Sequence, residues 1–559
     1  MRRVCTFLLF LPWVLSGPDD TIDQLKVAFS NVPLADQVSG AQVTVEEGEA
    51  PAWIEGSLVR HACGAYGETG STSNMVNRVG HVFDCIKMGQ SYSFHGGEVT
   101  FSSKYYDSNM VQIWEKYQEN MNQSSVWWGC TYADQNRTAM DREGSDMYAP
   151  ERPSNVPAVA WWKVGREVLA MSEWPSGDSI DVHKNKYLEH YQYDDGDWTN
   201  GWQTIQSPAH EHYDQNGKIW SSAGMIKQDG DTVFHLKRVV FTLDPVTRRR
   251  EIVGEFPYED IDLTLCTGMG EVYPDPKGRL RNIHSFQMTE NYIIIPETSY
   301  MFDPCTWVFH NDSISGWNQE FHYEPLEDAK ISVMEKTTGN FVAHIDAPAM
   351  FTTHMLGTYE DPESGLLHFD ILKYENADAY TKWTFVDVPL SGETHPYDLV
   401  QATRYSLNMN PWSLNGTKNL IQANMTKSLE FSNINPAYQG KPYKFAYMIT
   451  NFYNRHGSLV KLNVDDGMVL EVDFPNGLFP TEPIFLASPN AVAEDDGVLM
   501  ISGIDGEQEK GFLMVFNATN LEQIYHATAP KLTLYGVHAK FFPFDIRCEE
   551  DDCTPGVSH

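Results

Sequence analysis

Positive charge is scarce in this sequence. Its 559 residues contain 40 Lys and Arg against 76 Asp and Glu, which gives a formal net charge of −36 at pH 7. A face that binds nucleic acid needs concentrated Lys and Arg to contact phosphates, and no run of the chain supplies them. The composition therefore argues against a nucleic-acid partner and predicts a solvated, acidic surface.

Long apolar runs are also missing. The apolar run at residues 4–15, in MRRVCTFLLFLPWVLSG, follows two arginines and precedes small residues. A bilayer span needs roughly 20 apolar residues, and no later segment is long and apolar enough either. The layout is typical of a secretory signal peptide, with a buried first helix or a membrane anchor as alternatives. We predict a signal peptide over residues 1–17 and a secreted chain over residues 18–559.

Cysteine is sparse, and its spacing matches no zinc or haem pattern. Eight cysteines are present, of which Cys5 lies in the predicted signal peptide. In an oxidising compartment we expect disulfides plus one free thiol. Cys63 with Cys85, and Cys548 with Cys553, are candidate pairs. Sequons for N-glycosylation fit a secreted glycoprotein and occur at Asn122, Asn136, Asn311, Asn415, Asn424 and Asn517.

Helical periodicity is scarce as well. The best candidate for a helix covers residues 106–123. Residues 133–157 are predicted to form a long polar loop. Elsewhere short β-rich runs such as FHLKRVVFTLD and SLVKLNV alternate with Gly, Pro, Asn and Asp turns. This spacing predicts an all-β sandwich, barrel or propeller. The length and the lack of a linker favour a single propeller domain, but no repeat of a fixed length is visible from which to count blades.

Histidine is abundant, at 19 residues, and four histidines share a setting. Each lies beside small or apolar neighbours at the mouth of a β-type run. A spacing of tens to hundreds of residues differs from a helical His-x-x-x-His metal motif, but strands that converge on one axis would bring such residues together. A single buried histidine is more often hydrogen-bonded to backbone, so both interpretations stay open. The four are His210 in QSPAHEHYDQNG, His284 in RNIHSFQMT, His354 in MFTTHMLGTYED and His538 in LYGVHAKFFP.

The motifs around these histidines resemble the carotenoid cleavage oxygenase family, whose animal members include carotenoid dioxygenases and a retinoid isomerohydrolase. SPAHEHYDQNG, NIHSFQMTENYIIIPE, HMLGTYED, EPIFLASPNAVAEDDGVLMISG and LYGVHAKFF occur in the order of that family, and the similarity covers about residues 45–545. The resemblance implies a seven-bladed β-propeller with a helical and loop cap over one face. It also implies a ferrous iron, Fe(II), on the axis, bound by His210, His284, His354 and His538.

The resemblance further implies three glutamates around the iron. A ligating imidazole presents one nitrogen lone pair, so its other nitrogen carries a proton that needs an acceptor. The alternative for each glutamate is a surface carboxylate, and the strand-like settings of the second and third favour burial. The implied acceptors are Glu173 in LAMSEW for His284, Glu430 in SLEFSN for His354, and Glu482 in TEPIF for His538.

The implied activity is that of an iron(II) dioxygenase that adds O2 across one double bond of a carotenoid or apocarotenoid and gives two carbonyl products. An apolar tunnel would position the polyene over the metal. Two alternatives stay open: an isomerase or isomerooxygenase on the same scaffold, and a secreted carotenoid- or retinoid-binding protein without turnover. The intact set of four histidines and three glutamates favours an enzyme.

Two departures from the family pattern bear on these expectations. RHACG and FDC place Cys63 and Cys85 where the family has turn residues, which also favours their pairing. Residues 130–153 form a polar stretch where vertebrate relatives carry an aromatic-rich membrane-docking segment. With the acidic charge of the chain, this predicts weak or absent membrane association.

Overall fold

The computed structural model describes residues 24–66, 85–107, 111, 159–173, 177–196, 198–268, 272–275, 279–310, 321–378, 380–381, 399–421, 427–450, 457–534 and 536–544. These residues form seven antiparallel sheets arranged as the blades of a β-propeller, so the predicted all-β, seven-bladed fold is confirmed. The predicted signal peptide, the polar loop at 133–157 and the Cys548–Cys553 candidate pair lie outside these ranges. So do nearly all residues of the helical candidate at 106–123.

Blades 1 to 4 are numbered from the first sheet of the chain, and their strands are given from the axis outward. Blade 1 consists of Gly536–Phe542, Gly56–Ala65, Ile86–His95, Glu98–Tyr105 and Val38–Gln42. Blade 2 consists of Ala160–Val164, Glu167–Met171, Gly177–Asp181 and Lys186–His190. Blade 3 consists of Gln203–Gln206 and His212–Tyr213, Ile219–Asp229, Val233–Leu243, Arg250–Pro257 and the short Ile261–Asp262. Blade 4 consists of Gln287–Met288, Tyr292–Glu297, Ala329–Glu335 and Phe341–Ala347.

Blades 5 to 7 follow in the same order around the ring. Blade 5 consists of Phe351–Asp361, Leu366–Tyr374, Gln401–Met409 and Trp412–Asn419. Blade 6 consists of Leu429–Ile434, Phe445–Thr450, Ser458–Asn463 and Val469–Asp473. Blade 7 consists of Leu478–Pro480 and Ile484–Ala487, Gly497–Asp505, Lys510–Asn517, Gln523–Thr528 and Thr44–Gly48.

Burial follows the position of a strand within its blade. A middle strand packs against neighbouring blades on both faces, so it carries a near-continuous apolar run, whereas an outer strand can face water. Gly497–Asp505 is buried over its whole length, and Thr44–Gly48 is exposed over its whole length. Blades 4 and 5 share one core, in which Ile331 and Phe369 lie in the same buried cluster.

Strands from both ends of the chain close the ring. Gly536–Phe542 pairs with Gly56–Ala65 in blade 1, and Thr44–Gly48 pairs with Gln523–Thr528 in blade 7. Two adjacent blades therefore each combine an N-terminal and a C-terminal part of the chain. The inner strand of blade 1 is consequently supplied by Gly536–Phe542, the last strand in the described part of the chain.

Helices with described bounds are short. They are the α-helix Pro304–His310 and the 3-10 helices Val27–Phe29, Leu34–Asp36, Leu263–Leu265 and Pro436–Tyr438. Tyr300–Phe302 and Phe321–Tyr323 form a separate two-stranded ribbon. The helical part of the predicted cap is thus limited to short elements within the described ranges. No helix there has the length and hydropathy of a membrane span.

Two disulfides are present among the described residues. Cys63 pairs with Cys85, which joins the two strands that flank residues 67–84, so this candidate pair is confirmed. Cys266 pairs with Cys305 and fastens the end of blade 3 to the helix Pro304–His310. The second pair was not among the candidates from the sequence.

Candidate metal centre

The four predicted histidines meet at the inner edges of four blades. His210 lies between the two inner strands of blade 3, and His284 lies just before the inner strand of blade 4. His354 and His538 lie within the inner strands of blades 5 and 1. One nitrogen from each imidazole lies within 4.8 Å of the corresponding nitrogen of every other.

β-Bulges lie at two of these four histidines. At His354 the inner strand of blade 5 has three steps, from Thr352 to Met355, against two steps on its partner strand. At His538 the inner strand of blade 1 has the same extra residue, between Gly536 and Ala539. A bulge interrupts the alternation of side chains between the two faces of a sheet. Each ligand can therefore point to the centre while its strand remains paired.

The same device occurs beside Glu430. The inner strand of blade 6 has three steps from Glu430 to Asn433 against two on its partner. Within this bulge Phe431 adopts a left-handed backbone with φ 54°, which is costly for a bulky residue and persists only where the surroundings fix it. The ring of Phe431 packs against His354 and His538, with ring centroids 5.3 and 5.6 Å apart.

Each of the three predicted glutamates contacts the histidine that the sequence motif assigned to it. A carboxylate only accepts hydrogen bonds, so each Nδ1 carries the proton and donates it. This leaves the lone pair of Nε2 on the opposite side of each ring. The pairs are His284 Nδ1 with Glu173, His354 Nδ1 with Glu430 Oε2 at 2.5 Å, and His538 Nδ1 with Glu482 Oε2 at 3.1 Å.

The inward nitrogens fit a bound cation. The Nε2 atoms of His210 and His284 are buried and have no hydrogen-bond partner among the described residues. The Nε2 atoms of His354 and His538 lie 3.1 Å apart, and both present lone pairs because both Nδ1 atoms donate to carboxylates. Two lone pairs at that distance repel each other unless they share a positive charge. The donor set therefore suits a divalent metal with imidazole ligands.

Burial and charge set the protonation of these histidines. Burial, with the neighbouring imidazoles, holds the pKa of His210 well below its usual value, and burial lowers the pKa of His284 against the opposing effect of Glu173. Burial would also lower the pKa of His354, but the Glu430 carboxylate outweighs it and raises that pKa. His210 and His284 are accordingly neutral near pH 7, which is the form that binds metals.

Two tyrosines form a further layer around the carboxylates. The Tyr380 hydroxyl donates to Glu173 Oε1 at 2.9 Å, and the Tyr374 hydroxyl donates to Glu430. Sequence reasoning missed both. Their only signal is the stretch HFDILKYENADAY, in which both tyrosines follow or end the second strand of blade 5.

Curated relatives span nearly the whole chain. A carotenoid isomerooxygenase of Galleria mellonella is 23% identical over 514 residues, which cover 89% of this chain and 92% of that protein. A mitochondrial carotenoid-cleaving dioxygenase of Mustela putorius furo is 23% identical, with 90% and 94% covered. A β,β-carotene 15,15′-dioxygenase of Mus musculus is 22% identical over 524 residues, which cover 89% of this chain and 88% of that protein.

Solved structures share the fold. Cobalt-substituted Synechocystis apocarotenoid oxygenase has a TM-score of 0.69 at 19% identity, with 94% of this chain and 99% of that chain covered. A chimera of that oxygenase with RPE65 has a TM-score of 0.70 at 19% identity, with 93% and 98% covered. At 19% identity this similarity establishes a shared propeller fold and nothing further.

The family model described as RPE65, retinal pigment epithelial membrane protein, matches residues 31–543. This range contains all seven blades and every histidine and glutamate of the centre. The resemblance seen in the sequence motifs is thereby confirmed: the chain belongs to the RPE65 family of carotenoid cleavage oxygenases.

Proposed function

We propose that the protein is a non-haem iron(II) dioxygenase that cleaves one double bond of a carotenoid or apocarotenoid with O2 to give aldehyde or ketone products. The observation that carries the proposal is the convergence of four imidazole nitrogens, three of them oriented by carboxylates. The names of the relatives supply the reaction class, since they include a carotenoid-cleaving dioxygenase and a β,β-carotene dioxygenase.

His210, His284, His354 and His538 would hold the iron. When bound, the iron would supply the redox chemistry that activates O2. Four neutral imidazoles leave its double positive charge uncompensated by direct ligands, unlike a site with two histidines and one carboxylate. Glu173, Glu430 and Glu482 supply balancing negative charge through the Nδ1–H groups, and they fix the angle of each ring.

The surroundings of the centre favour an apolar substrate. The Phe431 ring packs against His354 and His538 and places an apolar surface beside the centre. Tyr380, Phe351 and Tyr300 form a run of aromatic contacts beside His284, with ring centroids 5.3 and 5.8 Å apart for successive pairs. Aromatic surroundings of this kind suit an apolar substrate, and an enzyme of this class would lower its barrier by positioning a rigid polyene beside the metal.

A direct test is turnover by the iron-loaded protein. We expect the wild type to convert β-carotene or an apocarotenal to shorter carbonyl compounds under O2, with products identified by mass spectrometry. His284→Ala should abolish turnover, whereas His235→Ala, at a half-buried position in blade 3 that lies outside the centre, should retain it. An iron-bound protein that binds polyenes tightly but converts none of a broad panel would instead identify a binding protein.

The second candidate is isomerisation coupled to cleavage. The Galleria mellonella relative is named a carotenoid isomerooxygenase, and it spans 89% of this chain. Incubation under 18O2 separates the alternatives. Cleavage alone incorporates label and keeps the double-bond geometry, coupled isomerisation incorporates label and changes the geometry, and isomerisation alone incorporates none.

We also propose that the protein acts in an oxidising, secretory compartment. The two disulfides support this, because such bonds persist mainly outside the reducing cytosol. Of the sequons, Asn415 is exposed on the outer strand of blade 5, and Asn517 is half-buried and accepts a hydrogen bond from the Thr519 N–H. Expression in a eukaryotic cell should yield protein in the medium that starts near residue 18, with glycan at Asn415.

A further inference from the structure

Two phenols bracket one short segment of blade 5. Tyr374 is the last residue of the strand Leu366–Tyr374, and Tyr380 follows in a tight turn closed by the bond from its own N–H to the Ala377 carbonyl at 2.9 Å. Both side chains are buried. A hydroxyl buried in a largely aromatic setting usually has a hydrogen-bond partner, because burial without one costs free energy.

The two hydroxyls select different carboxylates. Tyr380 reaches Glu173, 207 residues earlier in the chain, and its oxygen also lies 2.9 Å from His284 Nδ1. Tyr374 reaches Glu430, which belongs to the next blade. Seven residues of chain thus carry donors to two of the three outer glutamates, one of which precedes the segment in sequence while the other follows it.

The two carboxylates differ in how many other donors they have. Glu173 Oε1 accepts from His284 and Tyr380, and Glu173 Oε2 has no partner among the described residues. Glu430 accepts from His354 and Tyr374, and also from the Thr353 hydroxyl at 3.1 Å and the Phe431 N–H at 2.7 Å. The phenol is therefore one of two donors to Glu173 but one of four donors to Glu430.

We propose that Tyr374 and Tyr380 are positioning residues of the metal centre: each phenol fixes one carboxylate, and each carboxylate fixes one imidazole. The proposal rests on the proposed function in that it requires a metal at the four histidines. A carboxylate that rotates away releases its imidazole, so the ligand is no longer preorganised for the metal. Removal of a phenol would therefore affect the metal through two successive hydrogen bonds, from the phenol to the carboxylate and from the imidazole to the same carboxylate.

The test measures metal affinity, which is independent of turnover. Competition with a chelator gives the Kd for Co(II), and the Co(II) absorption spectrum reports the coordination geometry. Loss of an outer hydrogen-bond partner of a metal ligand typically costs 10–100-fold in affinity. We expect Tyr380→Phe to weaken binding about tenfold, and Tyr374→Phe to weaken it less because Glu430 keeps three donors.

Tyr405→Phe is the matched control. Tyr405 lies in the same blade, is fully buried, and its hydroxyl has no hydrogen-bond partner among the described residues. The Tyr405→Phe substitution removes a phenolic oxygen, as the other two substitutions do, but it removes no hydrogen bond to a carboxylate of the centre. We expect an unchanged Kd and an unchanged Co(II) spectrum.

Double variants identify the route of each effect. If Tyr380 acts through Glu173, then Tyr380→Phe should add no further loss in a Glu173→Gln background, whereas the losses from Tyr374→Phe and Glu173→Gln should multiply. The reverse pattern is expected in a Glu430→Gln background. This crossed pattern would not arise from a general loss of stability.

Three results would overturn the proposal. Equal affinity of wild type, Tyr374→Phe and Tyr380→Phe would leave the four-histidine site standing and remove only the role of the phenols. Equal losses in Tyr405→Phe would show that any buried phenol in this blade matters. A wild type that binds no Co(II), or a His284→Ala variant that binds it as tightly, would remove the proposed function as well.

Discussion

The Nε2 atoms of His354 and His538 lie 3.1 Å apart although 184 residues separate the two in the chain. Each ring is oriented by its own carboxylate, Glu430 or Glu482, which accepts from Nδ1 and leaves Nε2 facing the centre. Either a proton or a bound cation between the two Nε2 atoms removes the repulsion between their lone pairs, so protonation and metal binding compete at this point.

Metal loading should raise the thermal stability of the protein. A ligand that binds only the folded state adds about 2.7 kcal/mol when its free concentration is 100 times Kd. We expect Tm to rise with Fe(II) or Co(II) under anaerobic conditions and to fall on treatment with a chelator. The increase should vanish in His538→Ala and persist in His235→Ala. A wild type with the same Tm in both states would contradict a metal at this position.

Glu482 should control metal affinity through His538. Its Oε2 accepts from His538 Nδ1 at 3.1 Å and from the Ala539 N–H at 3.2 Å, so it holds both the ring and the backbone beside it. We expect Glu482→Gln to weaken metal binding by about 10–100-fold, as measured by chelator competition. Glu363→Gln, at an exposed turn, is the control and should bind as the wild type does. Unchanged affinity in Glu482→Gln would mean that this contact does not orient the ring.

The disulfide between Cys266 and Cys305 should stabilise the fold. It closes a loop of 39 residues, and loop-closure entropy predicts a contribution of about 3–4 kcal/mol. We expect Cys266→Ala/Cys305→Ala to unfold at a lower temperature than the wild type. Peptide mapping without reductant should recover both Cys63–Cys85 and Cys266–Cys305 from the wild type. Free thiols at Cys266 and Cys305 in the secreted protein would refute the pairing.

Asp303 should contribute stability that depends on pH. Burial would raise the pKa of Asp303, but the His322 ring 3.5 Å away and hydrogen bonds from the Thr306 hydroxyl and the Tyr273 N–H lower the pKa to about 2. Because the folded pKa is below the usual 3.8, the contribution is present above about pH 4 and is lost as the pH falls toward 2.

Asp303→Asn should therefore have a lower Tm than the wild type at pH 7, and the difference should shrink at pH 3. A buried hydrogen-bond network of this kind costs about 1–3 kcal/mol when one charged partner is removed. The comparison of the two proteins at each pH cancels the effect of the other carboxylates. A Tm difference that is independent of pH would show that the Asp303 charge is not involved.

The family resemblance was sufficient to predict the ligands and their partners, because each lies in a local motif that matches the family, such as RNIHSFQMT for His284 and SLEFSN for Glu430. The residue pattern alone left two interpretations of each histidine open, a metal ligand and a histidine hydrogen-bonded to backbone. The number of blades could not be predicted from periodicity, because the seven sheets differ in strand length and in the loops between strands. Only the family resemblance supplied that number.

Other features depend on pairing between distant strands, which no local pattern records. The bulges at His354, His538 and Glu430 exist only relative to the register of a partner strand. Tyr380 contacts Glu173 only because the fold places the segment after the second strand of blade 5 next to the residue that follows the second strand of blade 2. Cys266 and Cys305 likewise come together through the tertiary fold, and their spacing of 39 residues is not diagnostic.

The strand that carries His538 is the last one among the described residues, and it pairs with one of the first, Gly56–Ala65. During synthesis the nascent chain therefore exposes three imidazoles of the centre before the fourth has left the ribosome. A chain that terminates anywhere before residue 538 lacks both its fourth ligand and the inner strand of blade 1. Binding of a metal by all four histidines must therefore follow the pairing of Gly536–Phe542 with Gly56–Ala65.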